Sequence, residues 1–160
     1  MQFNDTQLDA VQQFLQAGNL LAYPTEAVWG IGCDPFNETA VKQILAIKQR
    51  PIEKGMIVIT GDIAHIQSFL QPLSQQVVDS IAASWQSSDA QATTWLLPIP
   101  ATLQGKIPEW VTGGRDSLAI RVISHPMIAK LCNNKYALNT LFLAIFIFSC
   151  HKYANLMWIS

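Results

Sequence analysis

The sequence predicts a single α/β domain, a mixed sheet with helices, on three observations. Short apolar, β-branched runs interleave with segments of helical periodicity, and no internal repeat is visible. The chain has 160 residues, enough for one domain with a real core, and no linker-like stretch divides it. Half of its residues are apolar and 13% are charged, a balance that excludes disorder.

The elements follow in order. Asp5 or Thr6 offers a cap to a first helix with Leu8, Val11, Phe14 and Leu15 on one face, and Gly18 ends it. Residues 20–23 (LLAY) read as a short buried strand stopped by Pro24. Asn37 starts a second helix whose Val41, Ile44, Leu45 and Lys48 share a face, and Pro51 stops it. Residues 55–60 (GMIVIT) form the next strand. Residues 63–70 and 73–85 read as helices separated at Pro72. Strands follow at 93–99 (TTWLLPI) and 117–122 (SLAIRV); Pro98 demotes the end of the first to an edge position. Ser124 and Pro126 mark one more helix start.

Several function classes drop out. A formal net charge of −1 excludes a strongly basic nucleic-acid binder, so a polyanion must be met by local patches. Cys33, Cys132 and Cys150 stand far apart and form no CxxC, which argues against a disulfide framework or zinc site and for reduced thiols in the cytoplasm. The start of the chain shows no secretory signal. The apolar run at 141–148 (LFLAIFIF) is far shorter than the roughly 20 residues that span a bilayer, so a buried strand is expected and no membrane partner.

Three stretches carry candidate chemistry. Four of the ten Lys and Arg residues fall between Lys42 and Lys54. Lys48 and Arg50 either match the negative end of a helix dipole or join Lys54 over a phosphate, for which a guanidinium fork beside two ammonium groups is suited. Residues 23–35 (YPTEAVWGIGCDP) set Thr25 and Glu26 before Gly30 and Gly32. These glycines make two tight turns or admit close backbone approach by a ligand, and neither a dinucleotide nor a Walker motif is present. In the strand 117–122, Ser117, Ala119 and Arg121 share one face. An arginine inside an apolar strand requires an anionic partner: Asp116, Glu26, or a ligand's carboxylate or phosphate. Arg115 and Asp116 read as a surface turn, His125 as punctuation before a helix, and Trp85, Trp95 and Trp110 as core or rim. No nucleophilic triad or carboxylate pair stands out.

Residues 22–59 (AYPTEAVWGIGCDPFNETAVKQILAIKQRPIEKGMIVI) and 116–132 (DSLAIRVISHPMIAKLC) together closely resemble the YrdC/TsaC family, the threonylcarbamoyl-AMP synthases, in register from about Leu8 to Cys132. The resemblance implies an open, twisted mixed sheet flanked by helices, with a concave basic surface. It implies that L-threonine, bicarbonate and ATP give threonylcarbamoyl-adenylate and pyrophosphate, with Mg²⁺ expected alongside ATP. The product would serve tRNA modification through downstream threonylcarbamoyl-transfer proteins, and a non-catalytic module binding tRNA or double-stranded RNA is the alternative. The family's KxR element falls on Lys48 and Arg50, which become the catalytic, ATP-holding pair; Lys54 and Ser117 face the nucleotide. Thr25 and Arg121 take the threonine side. Some relatives carry a threonine where this chain has Ala27 and a histidine where it has Ile59.

The resemblance divides the chain into a family-like domain at 1–132 and an aberrant tail at 133–160. The proline- and glycine-containing segment usual before the central strand is replaced here by 85–98 (WQSSDAQATTWLLP). Past Cys132 the family's Ser-x-Asn pair is due near 143–145, where the sequence reads Leu-Ala-Ile. No Asp or Glu follows Asp116. The expectation is a frameshift or truncation near Asn133 to Lys135, an incomplete C-terminal part, an uncovered sheet edge, poor solubility and impaired activity.

Overall fold

The computed structural model describes residues 2–3, 7–23, 29–86, 93–123, 125–133, 143–147 and 157–159. Helix α1 spans Leu8–Gln16 and ends at Ala17, with Gly18 at φ +81° just beyond. Gln7 stands at its N-cap without a side-chain cap; the expected caps Asp5 and Thr6 lie outside the described residues. Helix α2 spans Glu38–Lys48 and is capped as expected, the Asn37 side chain accepting from the Ala40 N–H at 3.0 Å. The stretch at 63–70, expected as one helix, divides into a 3₁₀ turn at Ile63–Ile66 and a single α turn, α3, at Gln67–Leu70. Asp62 caps the 3₁₀ turn through the Ala64 N–H at 2.8 Å. Helix α4 spans Gln75–Gln86, α5 Glu109–Thr112 and α6 Pro126–Asn133, with Pro126 in the first turn, where its missing N–H costs nothing.

Among the described residues, eight strands form one mixed sheet: β1 (Gln2–Phe3), β2 (Leu21–Tyr23), β3 (Gly30–Gly32), β4 (Ile57–Thr60), β5 (Trp95–Pro98), β6 (Ser117–Val122), β7 (Leu143–Ile147) and β8 (Met157–Ile159). Their order is β1-β8-β2-β3-β7-β4-β6-β5. Strands β4 and β6 run parallel, with Ile59 opposite Arg121, while β5 pairs antiparallel to β6. Strand β5 is the last in the order, where its Pro98 removes no needed ladder donor.

One expectation is corrected here. Residues 30–32 are neither of the two tight turns nor an open approach; they make a buried strand antiparallel to β2, with Tyr23 opposite Gly30. A Cβ on Gly30 would lie 2.8 Å from the Tyr23 ring, so the glycine makes room for a neighbouring side chain. The apolar run near the C-terminus does form a strand. Its β7 sits between β3 and β4, antiparallel to both, so the edge expected to lie bare is paired.

Among the described residues, two apolar clusters lie on opposite faces of the sheet. One joins Val58, Leu97, Leu118 and Ile120 to α2, α3 and α4 through residues such as Ile44, Phe69 and Ile81. The other joins Leu21, Tyr23, Ile59 and Ile123 to α1 and α6 through Val11, Leu15, Ile128 and Leu131. Alternation along β6 sends Leu118 and Ile120 to the first cluster and turns Ser117, Ala119 and Arg121 toward the second. That second face is only partly covered: Ile57, Ala119 and Ser117 are half-buried and Leu96 of β5 is 63% exposed. Among the described residues no helix is long and apolar enough to cross a membrane.

Candidate functional site

The N-terminal ends of the parallel strands β4 and β6 meet in a rim made of two loops. Helix α2 stops because Gln49 takes a left-handed conformation, φ +50°, and the Arg50 N–H returns to the Leu45 carbonyl at 2.9 Å. Pro51 then directs the chain into a 3₁₀ turn at Ile52–Lys54. Arg50 folds back over this turn: its Nε donates to the Gly55 carbonyl and its Nη2 to the Lys54 carbonyl, both at 3.1 Å. The guanidinium is thereby held in one orientation by backbone, and a preset fork loses less freedom on meeting an anion.

The second loop presses against the first. The Met56 N–H donates to the Val111 carbonyl at 2.7 Å. A Cβ on Gly113, at φ +68°, would lie 2.6 Å from the Glu53 carbonyl oxygen and from the Gly55 nitrogen. This backbone-on-backbone contact needs glycine on both sides. Ser117 opens β6 directly beyond this turn and is half-buried.

Electrostatics single out Lys48 within the rim. Partial burial, and then the neighbouring Arg50 charge, bring its ammonium down to about 8 from an ordinary value of 10.5. Two cations close enough to penalise one another favour an arriving anion. Lys54 is exposed at the same turn.

Arg121 belongs to the sheet interior. It is 2% exposed and stands four residues past Ser117 on the same face, about 13 Å along the strand at roughly 3.3 Å per residue. Tyr23 lies within electrostatic reach of it. Helix α2 packs on the other face, so the Lys48–Arg50 group and Arg121 rise from opposite layers, the first at the N-terminal rim and the second near the C-terminal end of β6, and the described residues do not bring them together. Thr25 and Glu26 lie outside the described residues.

Elsewhere the expectations mostly hold. Trp85, Trp95 and Trp110 pack against the first cluster and each indole N–H is bonded, to the Thr93 carbonyl, the Ser84 hydroxyl and the Pro35 carbonyl. Arg115 and Asp116 form an exposed turn. Two features were missed. Tyr23 read only as the end of a strand, though a tyrosine closing a fully apolar run was a signal that its hydroxyl needed explaining. Thr60 is buried and holds the His65 ring, Oγ1 to Nδ1, at 2.7 Å. The spacing of a threonine, a capping Asp62 and a histidine was the available clue.

A rim carrying Lys48, Arg50 and Lys54 beside two close-packed glycine turns, with a buried arginine further along β6, stands in a mixed α/β fold. The Sua5/YciO/YrdC family pattern, described as telomere recombination, matches residues 13–143, and the chain belongs to this family. A protein of Psychrobacter cryohalolentis called threonylcarbamoyl-AMP synthase is 53% identical over 124 residues, covering 74% of this chain and 58% of its own length. The one from Acinetobacter baylyi is 49% identical over 121 residues, with 74% and 62% covered. The chain thus spans about three-fifths of these curated relatives. Among solved structures, P. abyssi Sua5 complexed with L-threonine superposes with a TM-score of 0.71 at 24% identity, over 91% of this chain and 41% of that one. This likeness establishes the fold.

Proposed function

We propose that the chain carries the catalytic domain of a threonylcarbamoyl-AMP synthase, an enzyme that makes threonylcarbamoyl-adenylate and pyrophosphate from L-threonine, bicarbonate and ATP. The observation that carries the reading is Ser117 and Arg121 on one face of β6, with the backbone-clamped Arg50 before the N-terminal end of the neighbouring parallel strand β4. The names of the curated relatives and the threonine complex of Sua5 support it.

Lys48 and Arg50 hold the phosphates of ATP, Lys54 and Ser117 face the nucleotide, and Arg121 and Thr25 take the threonine side. The threonine amine first condenses with bicarbonate, forming a C–N bond and releasing water, and an oxygen of the resulting carbamate attacks the α-phosphorus. The new oxygen–phosphorus bond forms as the bond from the α-phosphorus to the α–β bridging oxygen breaks, and its electrons leave on pyrophosphate. Two anions must be brought together, so positioning and charge neutralisation supply the catalysis, with Lys48 and Arg50 set against the charge that grows on the leaving group. Magnesium would arrive on phosphate oxygens. Among the described residues no group of three His, Cys, Asp or Glu side chains is arranged to hold a metal.

The reading extends to a cytoplasmic protein whose product passes to threonylcarbamoyl-transfer proteins and tRNA, and to a family-like part at 1–132 followed by a divergent tail. Pyrophosphate release dependent on ATP, bicarbonate and threonine, and abolished by Arg50→Ala, is the expected result. Salt-sensitive binding of tRNA with no threonine-dependent pyrophosphate release would replace it with the RNA-binding alternative.

A further inference from the structure

Arg115 belongs to an exposed turn, and the fold brings its side chain to the rim. The turn carries Gly113 at φ +68° and Gly114 at φ +75°, and β6 starts at Ser117 just beyond it. A Cβ on Gly113 would lie 2.9 Å from Nη1 of Arg115, and the same point is 2.6 Å from the Glu53 carbonyl oxygen and from the Gly55 nitrogen. The Arg115 side chain therefore folds back over its own turn, onto the place where that turn meets residues 53–55. This backbone is also what clamps Arg50, whose Nε and Nη2 donate to the Gly55 and Lys54 carbonyls. Two guanidinium groups reach one short piece of backbone from separate loops.

They are held differently. Arg50 is fixed by two carbonyls, whereas among the described residues no hydrogen bond or ion pair engages Arg115. Carboxylates are close along the chain: Glu53, Glu109 and Asp116 are all exposed, and Oε1 of Glu109 lies 3.5 Å from where a Cβ on Gly114 would stand. None of them forms an ion pair with Arg115. An exposed arginine left to itself extends into water; one laid over a turn beside other cations strengthens the local positive field and keeps its N–H donors unspent. That arrangement suits a fork-shaped contact with phosphate oxygens.

The order along β6 says which phosphates. In the proposed reading Arg121 takes the threonine side and Ser117 faces the nucleotide. Arg115 lies beyond Ser117, past the end of the strand away from Arg121. The α-phosphorus has to meet the threonine carbamate, so the phosphates directed away from threonine are the β and γ pair. We propose that Arg115 is a further binding residue for the phosphates that leave as pyrophosphate, reaching them from the second loop while Arg50 holds from the first. The proposal rests on the reading of the rim as the seat of the ATP phosphates, and the experiment separates the two.

ATP, inorganic pyrophosphate, AMP and L-threonine are titrated by calorimetry into the full chain and into Arg115→Ala, Arg115→Lys, Arg50→Ala and Lys42→Ala, and thermal unfolding is recorded for each. Lys42 controls for the loss of one charge, since it lies in the first half of α2 and pairs with Glu38 at the surface. Arg115→Ala is expected to bind ATP and pyrophosphate about tenfold more weakly, the loss of a contact between charged groups, with AMP affinity, threonine affinity and melting temperature unchanged. Arg115→Lys should recover part of the loss, because the charge stays and the fork is gone. Lys42→Ala should match the parent. Parent-like binding of ATP and pyrophosphate by Arg115→Ala overturns the proposal, and so does an equal loss for AMP or an equal loss in Lys42→Ala. If Arg50→Ala weakens both phosphate ligands while Arg115→Ala does not, only the role of Arg115 falls. If Arg50→Ala binds both as the parent does, the reading of the rim falls and the proposal falls with it.

Discussion

Replacing Gly55 with alanine perturbs the rim at the point where its two loops touch. Gly55 has φ +60° and ψ −179°, a combination essentially closed to residues with a Cβ. The added methyl would also lie 2.8 Å from the Thr112 carbonyl oxygen and 3.0 Å from its carbon, and backbone on both sides yields little. Backbone strain of this kind costs about 1–3 kcal/mol and overpacking a similar amount, so a loss of about 3 kcal/mol is expected. For a domain of this size that lowers the melting temperature by about 6–12 °C. Because the Gly55 carbonyl is one of the two that hold Arg50, ATP affinity should fall about tenfold beyond the effect on stability. Urea unfolding and calorimetric titration at a temperature where both proteins are folded separate the two losses. Gly105→Ala is the control, since Gly105 shares the positive φ, +72°, but has nothing within 4 Å of a new Cβ. It should cost only backbone strain and leave ATP binding alone. If Gly55→Ala is destabilised no more than Gly105→Ala and binds ATP normally, the rim is not built as described.

Three further outcomes are expected. Lys48 loses its proton near pH 8, so ATP affinity should decline as pH rises through that value, and Lys48→Met should flatten the profile. The linked effect on stability has the reverse sign: unfolded lysine keeps its proton to about 10.5, so the fold gains stability between pH 8 and 10.5 in the parent and not in the variant. Ala144→Pro sets a proline opposite Val58 in a strand that lies between two others, and circular dichroism should report lost sheet together with aggregation in light scattering. Asn37→Ala removes the cap on Ala40 and should cost about 1 kcal/mol, read by urea titration, with the affinity for threonine unchanged.

The sequence by itself determined what depends on one segment at a time. Asn37 capping and Pro51 stopping a helix, the alternation that sets Ser117 and Arg121 on one face, and Pro98 at an edge are all consequences of local sterics and periodicity. Lys48, Arg50 and Lys54 are close neighbours in the chain, so their clustering was legible before any tertiary contact was known. Tertiary structure decided what depends on two segments meeting. Gly30 and Gly32 looked like turns because glycine is permissive; only pairing with β2 and the nearness of the Tyr23 ring make residue 30 a strand position. The run at 143–147 could be recognised as a strand, but its seat between β3 and β4 is a register between distant segments, which no local pattern encodes. The placement of α2 and Arg121 on opposite layers is likewise a property of packing. Periodicity fixes which way a side chain leaves its own backbone, and only the assembled sheet fixes what waits on that side.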